Sequence, residues 1–510
     1  MLRKSLALFC LVFLTASNAE DGVSRVVNTA QGPVKGYKDP EYGFYTFMSI
    51  PYATAPTGPN RFKAPLPPQK RMHTLEAVDK RIICPQAKFP IQVMPLDLIM
   101  QEDCLILNIY VPDTSKKNLP VVFHVHGGGF QMGYGEFISP SKFVADSQII
   151  FVNFNYRLGP HGFLSLGTDD IPGNAGMKDQ VAALRWVKEN IASFGGNPED
   201  ITLQGFSAGS ASVDLLMLSK TTEGLFNKVI PESGSNSAAW AIQSDPLENS
   251  KWFAKTLNFH NVEDIYALEE FYKTVSFDQL LSNGFFDQKD STFVFSPCVE
   301  RVTDSEAFLD KSPIDILKSG DYVKVPLLYG FADMEGLLRE SFFENWRSKM
   351  NNNFSDFLPA DLKFESTEQK EEIARRVKEF YFEDKAIGTE NILQYVDYFS
   401  DVFFAYSTLR AVKYHVEAGH DKVYLYEYSF VDDNTPAVSY TDVKGANHCA
   451  QTFALFDPET PAHMPKITKT ADFKKMAKVI RKIWTNFIER GVPNIEEIPE
   501  WPTVGAGWSP

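Results

Sequence analysis

Gly205-Phe206-Ser207-Ala208-Gly209 is the stretch on which the reading of this chain turns. It has the form G-x-S-x-G. The apolar run Ile201-Thr202-Leu203 before it reads as a strand, and the small residues Ser210-Ala211-Ser212 after it open a helix. A serine on such a sharp strand-to-helix turn projects its hydroxyl outward, and the flanking glycines let the backbone close around it. The helix N-terminus behind the serine offers free N–H groups and a positive dipole end to a developing negative charge. A bare G-x-S-x-G also arises by chance; the strand and helix on either side give this one its meaning.

Outward from that turn, strands and helices alternate. Val121-Val122-Phe123 and Ile149-Ile150-Phe151-Val152 read as buried strands. The spacing predicts a helix from Lys178 to Phe194, with Val181, Leu184, Val187, Ile191 and Phe194 on one face and Gly195-Gly196 ending it. Val423-Tyr424-Leu425-Tyr426 reads as a late strand. Phe473 to Ile488 reads as a helix with Met476, Ile480, Ile483, Trp484 and Phe487 in its apolar stripe. Its Lys474, Lys475, Lys478 and Arg481 make a solvated face. This rhythm implies an α/β protein with a mostly parallel central sheet flanked by helices. No repeat, low-complexity tract or linker interrupts it, so residues 20–510 read as a single domain.

The 510 residues are 44% apolar and 23% charged, which is enough for a large globular core. The formal charge of −15 argues against a nucleic-acid partner, since phosphate binding needs a basic face. Residues 1–19 read as a secretory signal peptide: Arg3 and Lys4, then the apolar run Leu6 to Leu14, then the small residues Ser17-Asn18-Ala19. The run is far shorter than the roughly 20 residues a membrane span needs, so a mature chain from Glu20, released outside the cell, is expected. Cys10 leaves with that leader. Cys84, Cys104, Cys298 and Cys449 remain, with three pairings open if all four bond. Cys84 and Cys104 are the closest pair, and closing their loop is worth roughly 3 kcal/mol in the chain-entropy model. Cys298 and Cys449 read better as buried, unpaired thiols. Asn353-Phe354-Ser355 is a glycosylation sequon in a polar stretch.

A nucleophilic serine needs a base, a group to orient that base, and donors for the oxyanion. His126-Gly127-Gly128-Gly129 follows the Val121 strand, and its glycines let backbone N–H groups face a reacting carbonyl. Gly128, Gly129 and Ala208 are the candidate oxyanion donors. In this class of fold the chain order is serine, acid, histidine. Glu335 follows the apolar run Val325 to Tyr329, with Asp333 as a local competitor that composition alone does not eliminate. His448 lies in the small-residue loop Gly445-Ala446-Asn447; His415 and His420 lie in charged, helix-like surroundings. Chemistry of this kind calls for no metal and no cofactor.

With these residues in place, the sequence resembles the type B carboxylesterase family of the α/β-hydrolase superfamily. The likeness runs over nearly the whole mature chain, through Glu102-Asp103-Cys104-Leu105-Ile106-Leu107-Asn108, Ile50-Pro51-Tyr52-Ala53, Asn155-Tyr156-Arg157-Leu158, Asp179-Gln180 and Phe194-Gly195-Gly196-Asn197-Pro198. The resemblance implies an α/β-hydrolase fold with Ser207 as nucleophile, Glu335 as acid and His448 as base. It implies a Cys84–Cys104 disulfide closing a loop at the mouth of the site, Ser233 supporting the acid, and Trp240, Phe293 and Phe295 at acyl-pocket positions. Plain core packing is the alternative for those aromatics.

The departures bear on substrate. Cholinesterase relatives carry a glutamate before the nucleophile, where this chain has Phe206, and a tryptophan in the disulfide loop. Here the loop holds Phe89, Ile91, Met94, Leu96 and Leu98. Without that charge and that cation–π partner a choline ester is not the expected substrate. Phe206 favours a lipophilic small-molecule ester instead, with hormone, pheromone, xenobiotic or plant esters all open. After His448 the family often has an acidic residue; this chain reads Cys449-Ala450-Gln451. Two rival readings are a binding member of the same fold whose chemistry is impaired, and a lipase with the apolar loop as its lid.

Overall fold

The computed structural model describes residues 22–87, 97–281, 287–301, 306–383, 385–458, 468–505 and 507. The expected leader therefore lies outside the described residues, as do Phe89, Ile91, Met94 and Leu96 of the disulfide loop. Strands β1 (Ser24–Thr29), β2 (Gly32–Lys38) and β3 (Tyr45–Pro51) form an antiparallel meander. β3 pairs antiparallel with β4 (Ile106–Val111). The two-residue strand Leu75–Glu76 pairs parallel with β2 at the side of this sheet, and its main path continues through β5 (Leu119–Val125), β6 (Ile150–Phe154), β7 (Gly196–Phe206), β8 (Lys228–Glu232), β9 (Leu327–Ala332) and β10 (Val423–Tyr428). Their order is β1-β2-β3-β4-β6-β5-β7-β8-β9-β10. All pairings from β6 through β10 are parallel. The expected α/β-hydrolase fold, a mostly parallel sheet with helices on its faces, is what forms.

The sequence accounts for these strands. Every residue of β8 and β9 is buried, as in parallel strands covered on both faces, where apolar runs replace alternation. Side-chain direction still alternates. Phe123, Leu203, Val229 and Leu327 enter one core, and Val122, Ile230 and Leu328 enter another. The helix Ala471–Arg490 closes the second core with Ile480, Ile483, Trp484 and Phe487. Thr470 caps its start by accepting the Phe473 N–H at 3.0 Å, and Gly491 ends it in the left-handed region at φ 74°. Lys474, Lys475 and Lys478 are exposed. The other predicted helix runs from Ala175 to Asn190. Its last apolar residues, Ile191–Phe194, tighten into a 3-10 turn before Gly195.

The order of the strands makes the crevice. β5 leads to β6 on one side, while β7 flanks β5 on the other and leads away to β8. The loops leaving the carboxyl ends of β5 and β7 therefore diverge, and ligands in open α/β sheets bind at such a switch point. The segments after β5, β7, β8, β9 and β10 all leave the same edge of the sheet.

The family-like blocks brace that edge. Buried Arg157 reaches Asp179 through Nε at 2.7 Å and Nη2 at 2.6 Å, and its Nη1 donates to the carbonyls of Arg61 and Lys63 at 2.8 Å each. A buried charge so fully bonded holds the segment after β6 in place. Nearby, the Gly159 N–H donates to the Phe130 carbonyl at 2.7 Å, just past the glycine run. Cys84 and Cys104 form a disulfide, with Cα atoms 5.0 Å apart. Cys298 and Cys449 are free and buried. Among the described residues no helix is long and apolar enough to cross a membrane.

Candidate active site

Ser207 takes φ 56° and ψ −123°, an unusual conformation for a side-chain-bearing residue, at the junction of β7 and the helix Ala208–Leu218. Strain of this kind costs about 1–3 kcal/mol and persists only where the surroundings over-determine it. Here the Ser207 N–H donates to the Glu232 carbonyl at 2.8 Å, and the Ser207 carbonyl accepts the first helical bond from Ala211 at 3.1 Å. The two glycines of the pentapeptide are required by close approach. A Cβ on Gly209 would stand 2.0 Å from the Val125 carbonyl oxygen, and one on Gly205 would stand 2.3 Å from the Gly209 oxygen.

His448 arrives on the irregular segment after β10. Its Nε2 lies 2.9 Å from Ser207 Oγ, and its Nδ1 hydrogen-bonds to Glu335 Oε2. The other carboxylate oxygen, Glu335 Oε1, accepts the Ala332 N–H at 2.8 Å. Glu335 is fully buried, whereas the His448 side chain keeps 13% exposure toward solvent. Serine, imidazole and carboxylate thus form one continuous chain of hydrogen bonds across three loops.

Asp333, the local rival for the acid, serves the loop instead. Its Oδ1 accepts the Ala446 N–H at 2.8 Å, and the neighbouring Met334 N–H donates to the Ala446 carbonyl at 3.0 Å. Burial raises its carboxyl above the usual range. His415 is fully buried away from this chain, with Nδ1 2.7 Å from the Tyr322 hydroxyl and Nε2 3.8 Å from Asp214. His420 bonds to the Val325 carbonyl at 2.7 Å.

Beside Ser207, the N–H groups of Gly128, Gly129 and Ala208 have no acceptor among the described residues. Gly128 sits at φ 112°, where a Cβ would meet the Met132 oxygen at 2.1 Å. His126, ahead of the run, stacks on Tyr156 with ring centroids 4.4 Å apart. Burial drives its pKa down to about 3, so it stays neutral behind the glycines. Gln86, inside the disulfide loop, exchanges two hydrogen bonds with the backbone of Gly133, at 3.0 and 2.9 Å. That exchange ties the Cys84–Cys104 loop to the end of the glycine loop.

The predicted pocket aromatics separate. Trp240 and Phe293 lie together, 5.6 Å between centroids. Phe206 is 4% exposed and stacks between His124 at 5.8 Å and Phe137 at 6.3 Å, in the second core. Most of its ring is therefore already covered by protein. Phe295 is fully buried and packs edge-on against Phe253 at 5.2 Å, so packing is what its ring does. Ser233, at φ 59°, accepts the Gln451 amide N–H at 2.6 Å. Asn353 is exposed after the helix Phe343–Asn352, and its amide bonds to Asp356 at 2.9 Å.

Sequence reasoning missed Phe404, whose ring lies 4.3 Å from the His448 imidazole. No local motif marks it. It also passed over Glu232, which is fully buried beside the elbow and receives a hydrogen bond from the Gln204 amide. Burial pushes its carboxyl up to about 8. Burial and the nearby Glu335 charge raise the Cys449 thiol well above its ordinary range, so it is no thiolate competitor to Ser207. Among the described residues no group of three or more His, Cys, Asp or Glu could hold a metal ion.

Comparison with known proteins shows the family. Residues 23–508 match the model of the carboxylesterase family. The chain is 32% identical to esterase FE4 of Myzus persicae over 98% of this chain and 90% of that one. It is also 32% identical to venom carboxylesterase-6 of Apis mellifera, over 99% of this chain and 92% of the other. The crystal structure of juvenile hormone esterase from Manduca sexta, with OTFP covalently attached, superposes with a TM-score of 0.84 at 29% identity, covering 95% of this chain and 93% of that one. The strained serine, its imidazole and carboxylate partners, and a match along nearly the full length lead to one conclusion: the chain belongs to the carboxylesterase family and is a carboxylic ester hydrolase.

Proposed function

We propose that Ser207 is the nucleophile, His448 the general base and acid, and Glu335 the carboxylate that orients it. The observation that carries this reading is the 2.9 Å contact between His448 Nε2 and Ser207 Oγ, with Glu335 on the opposite ring nitrogen. His448 takes the Ser207 proton as Oγ attacks the ester carbonyl. The negative charge that develops on the carbonyl oxygen is met by the N–H groups of Gly128, Gly129 and Ala208, each donor being worth roughly 3 kcal/mol of barrier. The C–O bond to the alcohol then breaks, and His448 returns the proton to the leaving oxygen. Water repeats the sequence on the acyl-enzyme, releasing the carboxylic acid and restoring Ser207.

The substrate is a lipophilic small ester. Phe404 brings an apolar ring to the His448 imidazole, and Trp240 and Phe293 pack in succession behind it. Juvenile hormone esterase and venom carboxylesterase among the relatives support a secreted enzyme acting on such esters. In that compartment exposed Asn353 carries the N-linked glycan, and residues 20–510 work as one domain.

Labelling with a fluorophosphonate probe and a panel of p-nitrophenyl esters test this. Wild-type protein should turn over the esters and take up one probe per chain, and Ser207→Ala should lose both. Ester turnover that survives in Ser207→Ala at the wild-type rate would overturn the assignment.

A further inference from the structure

Phe404 lies on a π-helical turn, Asp401–Ala405, between the helices Ile392–Ser400 and Tyr406–Glu417. A π turn inserts one extra residue into a helix and re-aims the side chains around it; such turns are frequent at functional sites. The ones here are Phe403 and Phe404, each 1% exposed. The Phe404 ring is set 4.3 Å from the His448 imidazole, with 33° between the planes. Trp240 packs against the same phenyl ring at 5.7 Å, and its indole N–H donates to the Phe403 carbonyl inside the turn at 2.8 Å. The turn, the indole and the phenyl ring thus form one assembly that ends on the imidazole.

His448 needs such a support. It sits on a segment without regular structure, held from below by Asp333 through Ala446, and among the described residues two hydrogen bonds grip the ring itself. Those bonds lie in the plane of the imidazole and resist sliding. A rotation about the Cβ–Cγ bond would swing both nitrogens out of line, and an aromatic face stacked on the ring blocks that rotation.

We propose that Phe404, aimed by the π turn Asp401–Ala405 and backed by Trp240, is a positioning residue that holds the His448 imidazole with Nε2 toward Ser207. The proposal rests on the assignment of Ser207 and His448 as nucleophile and base. Its chemical consequence is on the rates of acylation and of hydrolysis of the acyl-enzyme rather than on affinity, because loss of alignment at the base affects the proton transfers of both steps and leaves the rest of the site to bind ester.

The test compares Phe404→Leu with Phe404→Tyr on p-nitrophenyl acetate. Leucine fills much of the volume but has no flat face; tyrosine keeps the face. In Phe404→Leu, kcat should fall by about 10²-fold, the order expected for a misplaced catalytic group, with KM changed by less than about threefold. Fluorophosphonate labelling of Ser207 should slow in parallel, and Phe404→Tyr should recover most of the wild-type kcat. If Phe404→Leu fails to fold, Trp240→Phe carries the test: it removes the hydrogen bond to Phe403 while keeping a ring, and a fall in kcat without a matching rise in KM is expected. Wild-type kcat in a folded Phe404→Leu or Trp240→Phe variant, or equal losses in Phe404→Leu and Phe404→Tyr, would overturn the proposal. Failure of the underlying assignment would show differently, as activity in Ser207→Ala.

Discussion

The side-chain amide of Gln451 donates a 2.6 Å hydrogen bond to the hydroxyl of Ser233, and both residues are fully buried. The bond joins the first turn of the helix Ala450–Phe456, which directly follows the His448 loop, to the left-handed residue at the end of β8. A neutral amide thus occupies the position three residues after the imidazole. A buried hydroxyl that loses its partner costs about 1–3 kcal/mol. Gln451→Ala and Ser233→Ala should therefore each destabilise the protein. Because the residues touch, their effects should not add. A double-mutant cycle followed by urea unfolding should give a coupling of about 1 kcal/mol, and a coupling near zero would show the bond to be inconsequential.

The elbow leaves no room for a methyl group at Gly209, since its Cβ would sit 2.0 Å from the Val125 carbonyl oxygen. A backbone carbonyl in a central strand cannot swing aside as a flexible side chain can. Gly209→Ala is expected to cost at least about 3 kcal/mol and to displace Ser207 from His448. The check is the fluorophosphonate labelling rate of soluble protein, alongside its thermal midpoint. Labelling at the wild-type rate would mean that the backbone yields there after all.

Two groups of buried titrating residues act on stability in opposite directions. Burial lowers His124 to about 4, and His126 and His161 to about 3, from an ordinary value of 6.5. Between those values the unfolded chain binds protons that the folded protein does not, so stability falls as pH drops below about 6.5. Glu232 behaves in reverse, raised to about 8 from 4.5. The folded protein keeps its proton where the unfolded chain has lost it, so stability falls as pH rises toward about 8. Thermal midpoints should peak near pH 6.5. Glu232→Gln, which keeps the shape and removes the titration, should flatten the alkaline side and leave the acid side as it was. An alkaline side identical to wild type would clear Glu232 of responsibility.

The disulfide does more than close a loop. Gln86 lies two residues beyond Cys84 and carries the paired hydrogen bonds to Gly133 at the end of the glycine loop. Replacing Cys84 and Cys104 together by serine should cost about 3 kcal/mol of stability from the released loop. It should also lower kcat, through a less constrained Gly128 and Gly129. Gln86→Ala, with the disulfide intact, should reproduce the loss of kcat with a smaller loss of stability. A Gln86→Ala variant with wild-type kcat would disconnect the loop from the proposed oxyanion donors.

Much of this architecture is written locally. The strand-turn-helix context of Ser207, the glycine run after β5, and the helix stripes ending at Gly195 and Gly491 each depend on residues close together in the chain. Their physics is that of turns, caps and periodicity, so they were legible before any contact was known. The ordered family blocks extended that reading to the whole sheet, and Arg157 and Asp179 then proved to be partners in a buried ion pair.

Contacts between distant segments were not legible in this way. Asp333 and Glu335 lie in one loop and are equally good carboxylates by composition. Only the arrival of the His448 segment from beyond β10, 113 residues away, gives one of them the imidazole and the other the Ala446 backbone. The partnership of His448 with Ser207 spans 241 residues. Phe404 lies in unremarkable helical sequence, Gln451 stood out only as a departure with no partner named, and the rings of Phe206 and Phe295 turn out to be largely absorbed by packing. Short-range order thus announced a serine on an elbow beneath a glycine loop. Which imidazole, which carboxylate and which aromatic face surround it was settled by the parallel run of β7, β8, β9 and β10, because the sheet alone brings the ends of those strands to one edge.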